Sequence, residues 1–300
     1  MARVTWLPAA GAVLLGGCCL SPWADPGPRG AGPATHPATL TPGASRWVPL
    51  AVGERWVYSA TWNGLPVGTA TIEATDIREI RGRKALHVSC TTEVSAYIRA
   101  VYRLKDEVAT DIDLQTGCTL RFSKHIEEGD RLKDEYIEFD PGAKTATYYR
   151  KDTGEGEKTF TPIHTMPVPD GVQDPLSCLL QARAMSLQDG EDAVVKVNTD
   201  EKTYDTHLKA IRHQPLYLAN FGDLRSILID PTLEYEGIFP SKGRLLLWVE
   251  EDTRVPLKLQ IEIKVGTIYG TLIRRDGAEA FKPIPKIPDS ARIGGRPFGP

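Results

Sequence analysis

After its first twenty residues the chain has no apolar run near the ~20 residues a bilayer-spanning helix needs, so no downstream transmembrane helix is expected. It also lacks an excess of either charge. The 36 Lys and Arg stand against 39 Asp and Glu, in mixed clusters such as Glu127-Glu128-Gly129-Asp130-Arg131. A nucleic-acid partner, which requires a concentrated basic face to displace counterions, is excluded on this pattern. No glycine-rich phosphate loop, HExxH, CxxC, GxSxG or EF-hand pattern occurs, so no short motif points to an enzyme, a cofactor or a metal. Cysteine is scarce. Beyond Cys18 and Cys19 there remain only Cys90, Cys118 and Cys178, enough for one disulfide such as Cys90 to Cys118, or for three free thiols.

What is present is a chain with 41% hydrophobic and 25% charged residues, the composition of a globular protein. The start, MARVTWLPAAGAVLLGGCCL, places one cation before an apolar stretch and small residues before Cys18, the layout of an export signal over 1–17. Leu15-Gly16-Gly17-Cys18 resembles a bacterial lipobox. By that resemblance Cys18 is lipidated and its acyl chains anchor the protein to a membrane; ordinary secretory cleavage is the alternative. Residues 18–45 are rich in Pro, Gly, Ala and Thr and read as a disordered tether, and 282–300 read as a proline-rich disordered tail. Between them, 46–281 show no composition break and read as one domain.

Within 46–281 the hydrophobic period is two. Trp56, Tyr58, Ala60 and Trp62 alternate with Val57, Ser59 and Thr61, Asn63-Gly64 turns the chain, and alternation resumes over 67–74, which predicts a hairpin. Further strands are expected at 85–94, 98–108, 119–126, 133–139, 145–150, 193–197, 202–211, 216–218 and 224–229. Two more are expected on either side of Glu250 to Thr253. The fold class is therefore all-β: a single antiparallel domain, a curled sheet or barrel-like meander. One segment departs from this period. DPLSCLLQARAMSLQDG opens with Asp174 at an N-cap position and Pro175 at the first helical position, and closes on Gly190, predicting an amphipathic helix over 174–189 packed on the sheet.

These residues match a family pattern. Gly53-Glu54 with Tyr58, Gly68, Asp174-Pro175-Leu176-Ser177, Gly237-Ile238-Phe239 with Lys242-Gly243, Leu247-Trp248, Asp252 with Arg254 and Pro256, and Gly266 before Leu272 together resemble the bacterial domain-of-unknown-function 3108 family. The resemblance runs from Arg46 to Leu272. It implies an exported β-rich protein, often bearing a signal peptide or lipobox, with no assigned activity and no transferable catalytic residue. The chain departs from the pattern at Cys178 and Gln181.

Three kinds of function are compatible with this reading. In the first, a curled sheet capped by a helix encloses a site for a lipid or other apolar small molecule, with Trp56, Tyr58, Trp62 and Trp248 as the candidate ligand-facing surfaces. The second is a scaffold that docks another envelope protein through a strand edge. The third, a hydrolase using Glu250, Glu251 and Asp252, is disfavoured, because Leu257, Leu259, Ile261 and Ile263 alternate with polar residues after what reads as a solvated hairpin turn. In that turn Asp252 is expected to cap through its own side chain, Arg254 to pair with Asp252 or Glu250, and Pro256 to fix the exit. The histidines His87, His125, His207 and His213 are isolated on strand-like segments, and His164 lies in a proline-rich connection. No metal trio is expected from them. The expected location is the periplasmic side of a bacterial membrane, the outer before the inner.

Overall fold

The computed structural model describes residues 38–39, 50–99, 104–128, 131–152, 159–185, 187–199, 201–233, 244–263 and 266–285. The export segment 1–17, Cys18, most of the 18–45 tether and residues 286–300 lie outside the described residues. The chain runs β1 (Ala38–Thr39), β2 (Arg55–Trp62), β3 (Leu65–Ile80), β4 (Arg83–Val94), α1 (Ala96–Arg99), β5 (Leu104–Asp113), β6 (Thr119–Glu128), β7 (Arg131–Asp140), β8 (Thr145–Asp152) and β9 (Thr159–Pro167). It continues α2 (Pro175–Gln181), β10 (Asp192–Thr199), β11 (Lys202–Leu218), β12 (Gly222–Leu233), β13 (Leu245–Glu250), β14 (Pro256–Ile263) and β15 (Gly266–Asp276).

The alternation in β2 translates into alternate burial, with Trp56, Tyr58 and Ala60 inside. Asn63 and Gly64 both take positive φ, 47° and 82°, as a two-residue hairpin turn requires. Gly68 has a different reason: a Cβ there would overlap the carbonyl of Glu93, because β3 and β4 approach closely at that point.

Strand order explains the shape. Sequence neighbours pair from β2 to β9 and from β10 to β15, and the last strand, β15, pairs antiparallel with the first long one, β2. The ladder therefore runs β10 through β15, then β2 through β9, a meander joined at its ends and interrupted in the middle. No ladder joins β9 to β10 among the described residues, so the sheet is curled and barrel-like but not closed. Instead α2 sits in the connection between those two strands. Side chains and a short strap bridge the gap. Gln173 pairs in parallel with β10, its N–H donating to the Lys196 carbonyl at 2.8 Å and its carbonyl accepting from Asn198 N–H at 2.8 Å. The Tyr148 hydroxyl of β8 donates to Asn198 Oδ1 at 2.6 Å.

Helix α2 is held at both ends by buried polar groups. At its start the Asp174 carboxylate, fully buried, accepts from the hydroxyls of Thr110 (β5) and Thr119 (β6), each at 2.6 Å, and from the N–H groups of Leu176 and Ser177 at 2.8 and 3.0 Å. Past its other end, Arg183 lies 3.9 Å from Glu54, which also accepts from Trp56 Nε1 at 2.9 Å and Arg275 at 3.0 Å. The helix thus links β5 and β6 to β2 and β15. Leu176 and Leu180, between the two anchors, are fully buried in the core.

Several sequence expectations are corrected. The helix is shorter than 174–189: after Gln181 it tightens to a 3₁₀ turn at Ala182–Ala184, and Met185 is extended. The chain leaves the helix where Arg183 turns to Glu54, and Gly190 (φ 83°) serves instead a turn whose N–H donates to Ala210. Ile98 lies in α1, so the strand expected over 98–108 begins only at Leu104. Segments 202–211 and 216–218 form a single strand, with a register shift between Ala210 and Arg212. The proline-rich connection holding His164 is the edge strand β9. The described residues also include Ala38–Thr39, which pair in parallel with β10, and Ile284, whose N–H donates to the Asp223 carbonyl at 2.9 Å; most of 18–45 and 282–300 lies outside them.

Replacing Asp174 by Ala removes the cap and leaves buried hydroxyls and amides without an acceptor. The expected loss is about 2–4 kcal/mol in denaturant unfolding, with a smaller loss for Asp174→Asn. Burial pushes the Asp174 carboxyl up, against the bonds from Thr110, Thr119 and Ser177 that pull it down. Its contribution is therefore largest when protonated and declines as pH rises through the raised value. Stability curves of the Asn variant should lack that decline.

Candidate functional site

The two ends of the curled sheet differ. Asp174 fixes α2 to the last residues of β5 and the first of β6, so the helix occupies that end. The opposite end is formed by the finish of β2, β4 and β14 and the start of β3, β5, β13 and β15. Register aligns Leu245, Ile261, Ile268 and Trp62 in one row across β13, β14, β15 and β2, on the face that carries the core. Ile261 and Ile268 are buried, whereas Leu245 and Trp62 are partly exposed and packed against the core. The row continues to Leu65, paired with Trp62 and 62% exposed; from α1, Tyr97 is 54% exposed and Ile98 packs on the core. This makes an apolar collar at the end away from α2.

Below the collar the core-facing side carries charge. Register puts Cys90, Val108, Lys124 and Glu135 in one row across β4 to β7, and Lys124 is 3% exposed. Asp106 is 4% exposed and lies one position nearer the collar, its N–H donating to Thr92 Oγ1 at 3.3 Å. Buried charges in an apolar interior are costly, and they cluster where binding or chemistry needs them. Sequence reasoning missed this set, because the strands expected over 98–108 and 119–126 do not reveal which parity faces inward.

The candidate ligand-facing residues do not converge. Trp56 and Tyr58 lie side by side in the core, the Trp56 indole donating to Glu54 and the Tyr58 hydroxyl to the Pro256 carbonyl at 2.8 Å. Trp62 belongs to the collar. Trp248 alternates with core-facing Leu247, which pairs with Leu259, yet it is buried and packs with the core cluster; its ring lies 5.4 Å from Lys258 Nζ, which also approaches the Tyr269 ring at 4.9 Å.

In the acidic hairpin the capping residue is Glu250. It is 2% exposed and its Oε2 accepts from the N–H groups of Asp252 and Thr253 at 2.9 and 2.5 Å. The expectation that Asp252 caps the turn is corrected: its exposed side chain accepts from Arg225 of β12 at 2.6 Å, and Glu251 lies 3.4 Å from the same guanidinium. Arg225 also takes the pairing role expected of Arg254. Arg254 instead adopts positive φ, 58°, to turn the chain back, and its N–H donates to the Glu250 carbonyl at 3.0 Å. Pro256 is tied to Tyr58 through its carbonyl.

Four histidines share one arrangement the sequence does not reveal, each ring meeting an aspartate: His87 with Asp111 at 2.7 Å, His125 with Asp134 at 2.6 Å, His207 with Asp192 at 3.1 Å and His213 with Asp189 at 2.5 Å. Among the described residues no three His, Cys, Asp or Glu side chains come together to hold a metal. Cys90, Cys118 and Cys178 are free thiols, which settles the pairing left open above. Burial pushes the Cys178 thiol up to about 12, so it is neutral and unreactive at physiological pH.

An antiparallel sheet that curls around a core, open between β9 and β10 among the described residues and with a helix across one end, defines a barrel-like β protein without a closed barrel's continuous ladder. The chain belongs to the family described as protein of unknown function (DUF3108), whose model matches residues 57–273. Its fold is similar to the crystal structure of a β-barrel-like protein of domain of unknown function DUF1849 from Brucella abortus. The TM-score is 0.50 and the identity 12%, over 76% of this chain and 98% of that one. A fainter likeness is to a candidate lipoprotein from Parabacteroides distasonis, with a TM-score of 0.32 and 10% identity over 77% and 99% of the two chains. Comparison with curated proteins finds no match.

The hairpin geometry separates its carboxylates by a stability measurement. Glu250→Ala strands two turn amides at a buried position and should cost about 1–3 kcal/mol in denaturant unfolding. Asp252→Ala breaks an exposed ion pair and should cost less than about 1 kcal/mol.

Proposed function

We propose that this protein is an exported, lipid-anchored binding protein of the bacterial envelope that works without catalysis and takes a lipid or other apolar molecule at the collar. The export signal and Cys18 in its lipobox-like setting support the address, on the periplasmic side of a membrane, the outer before the inner. The observation that carries the ligand class is the Leu245-Ile261-Ile268-Trp62 row running out to exposed Leu65. Exposed apolar surface continuous with a core costs solvation that an apolar ligand removes, by about 25 cal/mol per Å² covered. Trp62 has the size and rigidity to anchor such a contact. The hydrolase reading is disfavoured by the hairpin, where Glu250 is bound to turn amides and Glu251 and Asp252 share Arg225.

A second reading, a scaffold for another envelope protein, draws on β9, whose residues 160–165 are all exposed beside a break in the ladder. Pro162, Pro167 and the register shift between Tyr148 and Tyr149 work against strand addition there, since each removes or displaces a ladder donor.

Organic extraction of the purified mature protein, followed by mass spectrometry, separates the readings, because covalently attached acyl chains stay with the protein. A non-covalent lipid near one per chain is expected, reduced several-fold by Trp62→Ala. A protein free of lipid, and unable to take up a fluorescent fatty acid, would contradict the lipid reading.

A further inference from the structure

The outer face of β6 to β9 carries a cluster that neither the core nor the collar uses. Register sets Arg121, Ser123 and His125 of β6 beside Glu138, Tyr136 and Asp134 of β7, and Tyr136 beside Tyr149 of β8. Their neighbours Phe122, Lys124, Ile137 and Tyr148 are buried on the core side, so this set faces outward. Tyr136 meets Tyr149 edge-on, with ring centroids 5.4 Å apart and planes at 72°. It also meets Phe160 of β9 across the intervening strand, at 4.7 Å and 31°. Phe160 is 43% exposed, and the Arg121 guanidinium lies 5.8 Å from the Tyr136 ring centroid.

One carboxylate fixes the phenols. Glu138 accepts from the Tyr136 hydroxyl at 3.0 Å, the Tyr149 hydroxyl at 3.2 Å, and Arg121 and Arg81 at 3.0 Å each. Partial burial raises the Glu138 carboxyl and these bonds more than reverse it, so it is held ionised below its ordinary value. Beside the rings, His125 meets Asp134. A cross-strand aromatic pair stabilises a sheet by roughly 0.2–1 kcal/mol, and that role needs neither a carboxylate locking both phenols nor a third ring reaching over a strand into solvent. Holding the rings in one orientation before contact lowers the entropy lost on binding, as in preorganised recognition surfaces.

We propose that this aromatic face binds a neutral glycan. A sugar ring has an apolar C–H face that packs on an exposed aromatic ring and a rim of hydroxyls that bond to planar charged side chains such as Arg121 and Asp134. Arg81 and Arg121 are already paired in place, with Glu138 and Asp140, which suits a partner with many hydroxyls and no net charge. An anionic membrane surface calls for a basic face, and this face is not one. The inference is independent of the collar and its lipid.

The full chain in detergent is titrated with chitohexaose, cellohexaose and maltohexaose, read by calorimetry and saturation-transfer NMR. Saturable binding of at least one hexasaccharide is expected. Phe160→Ala, at an exposed position on the edge strand, should weaken it at least about tenfold. Tyr149→Phe, which keeps the ring and drops its bond to Glu138, should weaken it by a smaller factor. Tyr217→Ala, an exposed aromatic in β11, should leave it unchanged. No saturable binding of any of the three, or equal binding by Phe160→Ala with an unaltered melting curve, overturns the proposal. Sedimentation with anionic vesicles that depends on Phe160, without glycan binding, overturns it too and reassigns the face to the membrane.

Discussion

Two buried polar contacts, Asp174 with Thr110 and Thr119 at one end of α2 and Arg183 with Glu54 at the other, hold a helix across one end of a curled meander that is left open between β9 and β10 among the described residues. The rest of the architecture depends on them. Each is expensive to leave half-made, since a buried carboxylate or guanidinium without partners costs far more than a missed apolar contact. The two therefore specify a position for α2 that the packing of Leu176 and Leu180 alone would define less sharply. Because the helix bridges β5 and β6 to β2 and β15, it also sets how far the sheet curls.

That placement gives the molecule a direction. The end with α2 is filled and tied down by Glu54, Arg275 and the Glu250 turn. The other end keeps partly exposed Trp62 and Leu245, with Lys124 and Asp106 buried beneath them. A closed barrel would gain the missing β9–β10 hydrogen bonds. The side-chain bridge through Tyr148 and Asn198 recovers part of that pairing. The outer face is separate again: where the core side of β7 presents Ile137, its reverse presents Tyr136 and Glu138, so one strand serves packing and surface by the period-two rule.

Local signals are the legible part of the sequence. Asn63-Gly64 marks its hairpin, Asp174-Pro175 its helix start, and the alternation in β2 its buried face, because each depends on a few adjacent residues. Long-range pairing is not legible. Nothing in 55–62 indicates that these residues pair with 266–276, and without that join the meander has no reason to curl. The helix end is misread because Arg183 leaves for a partner more than a hundred residues away in sequence. β9 is misread because Pro162 and Pro167 suggest a connection, although prolines are tolerated on an edge. In the hairpin the residue types announce a capped turn, and only burial decides that Glu250 caps while Asp252 meets Arg225 from another strand. Of the collar, Trp62 is readable as a candidate; Leu65 and Leu245 join it only through register, and Tyr97 through the short helix α1.

The central claim is that α2 is an integral strut and not a lid laid on a finished sheet. Hydrogen–deuterium exchange on the full chain, followed by mass spectrometry under native conditions, tests it most directly. The amides of α2, the β5–β6 hairpin and β2 should exchange together, as one slow cooperative unit. Rapid exchange of α2 while β2, β5 and β6 remain protected would contradict the account, since it would mean that the sheet holds its curl without the helix.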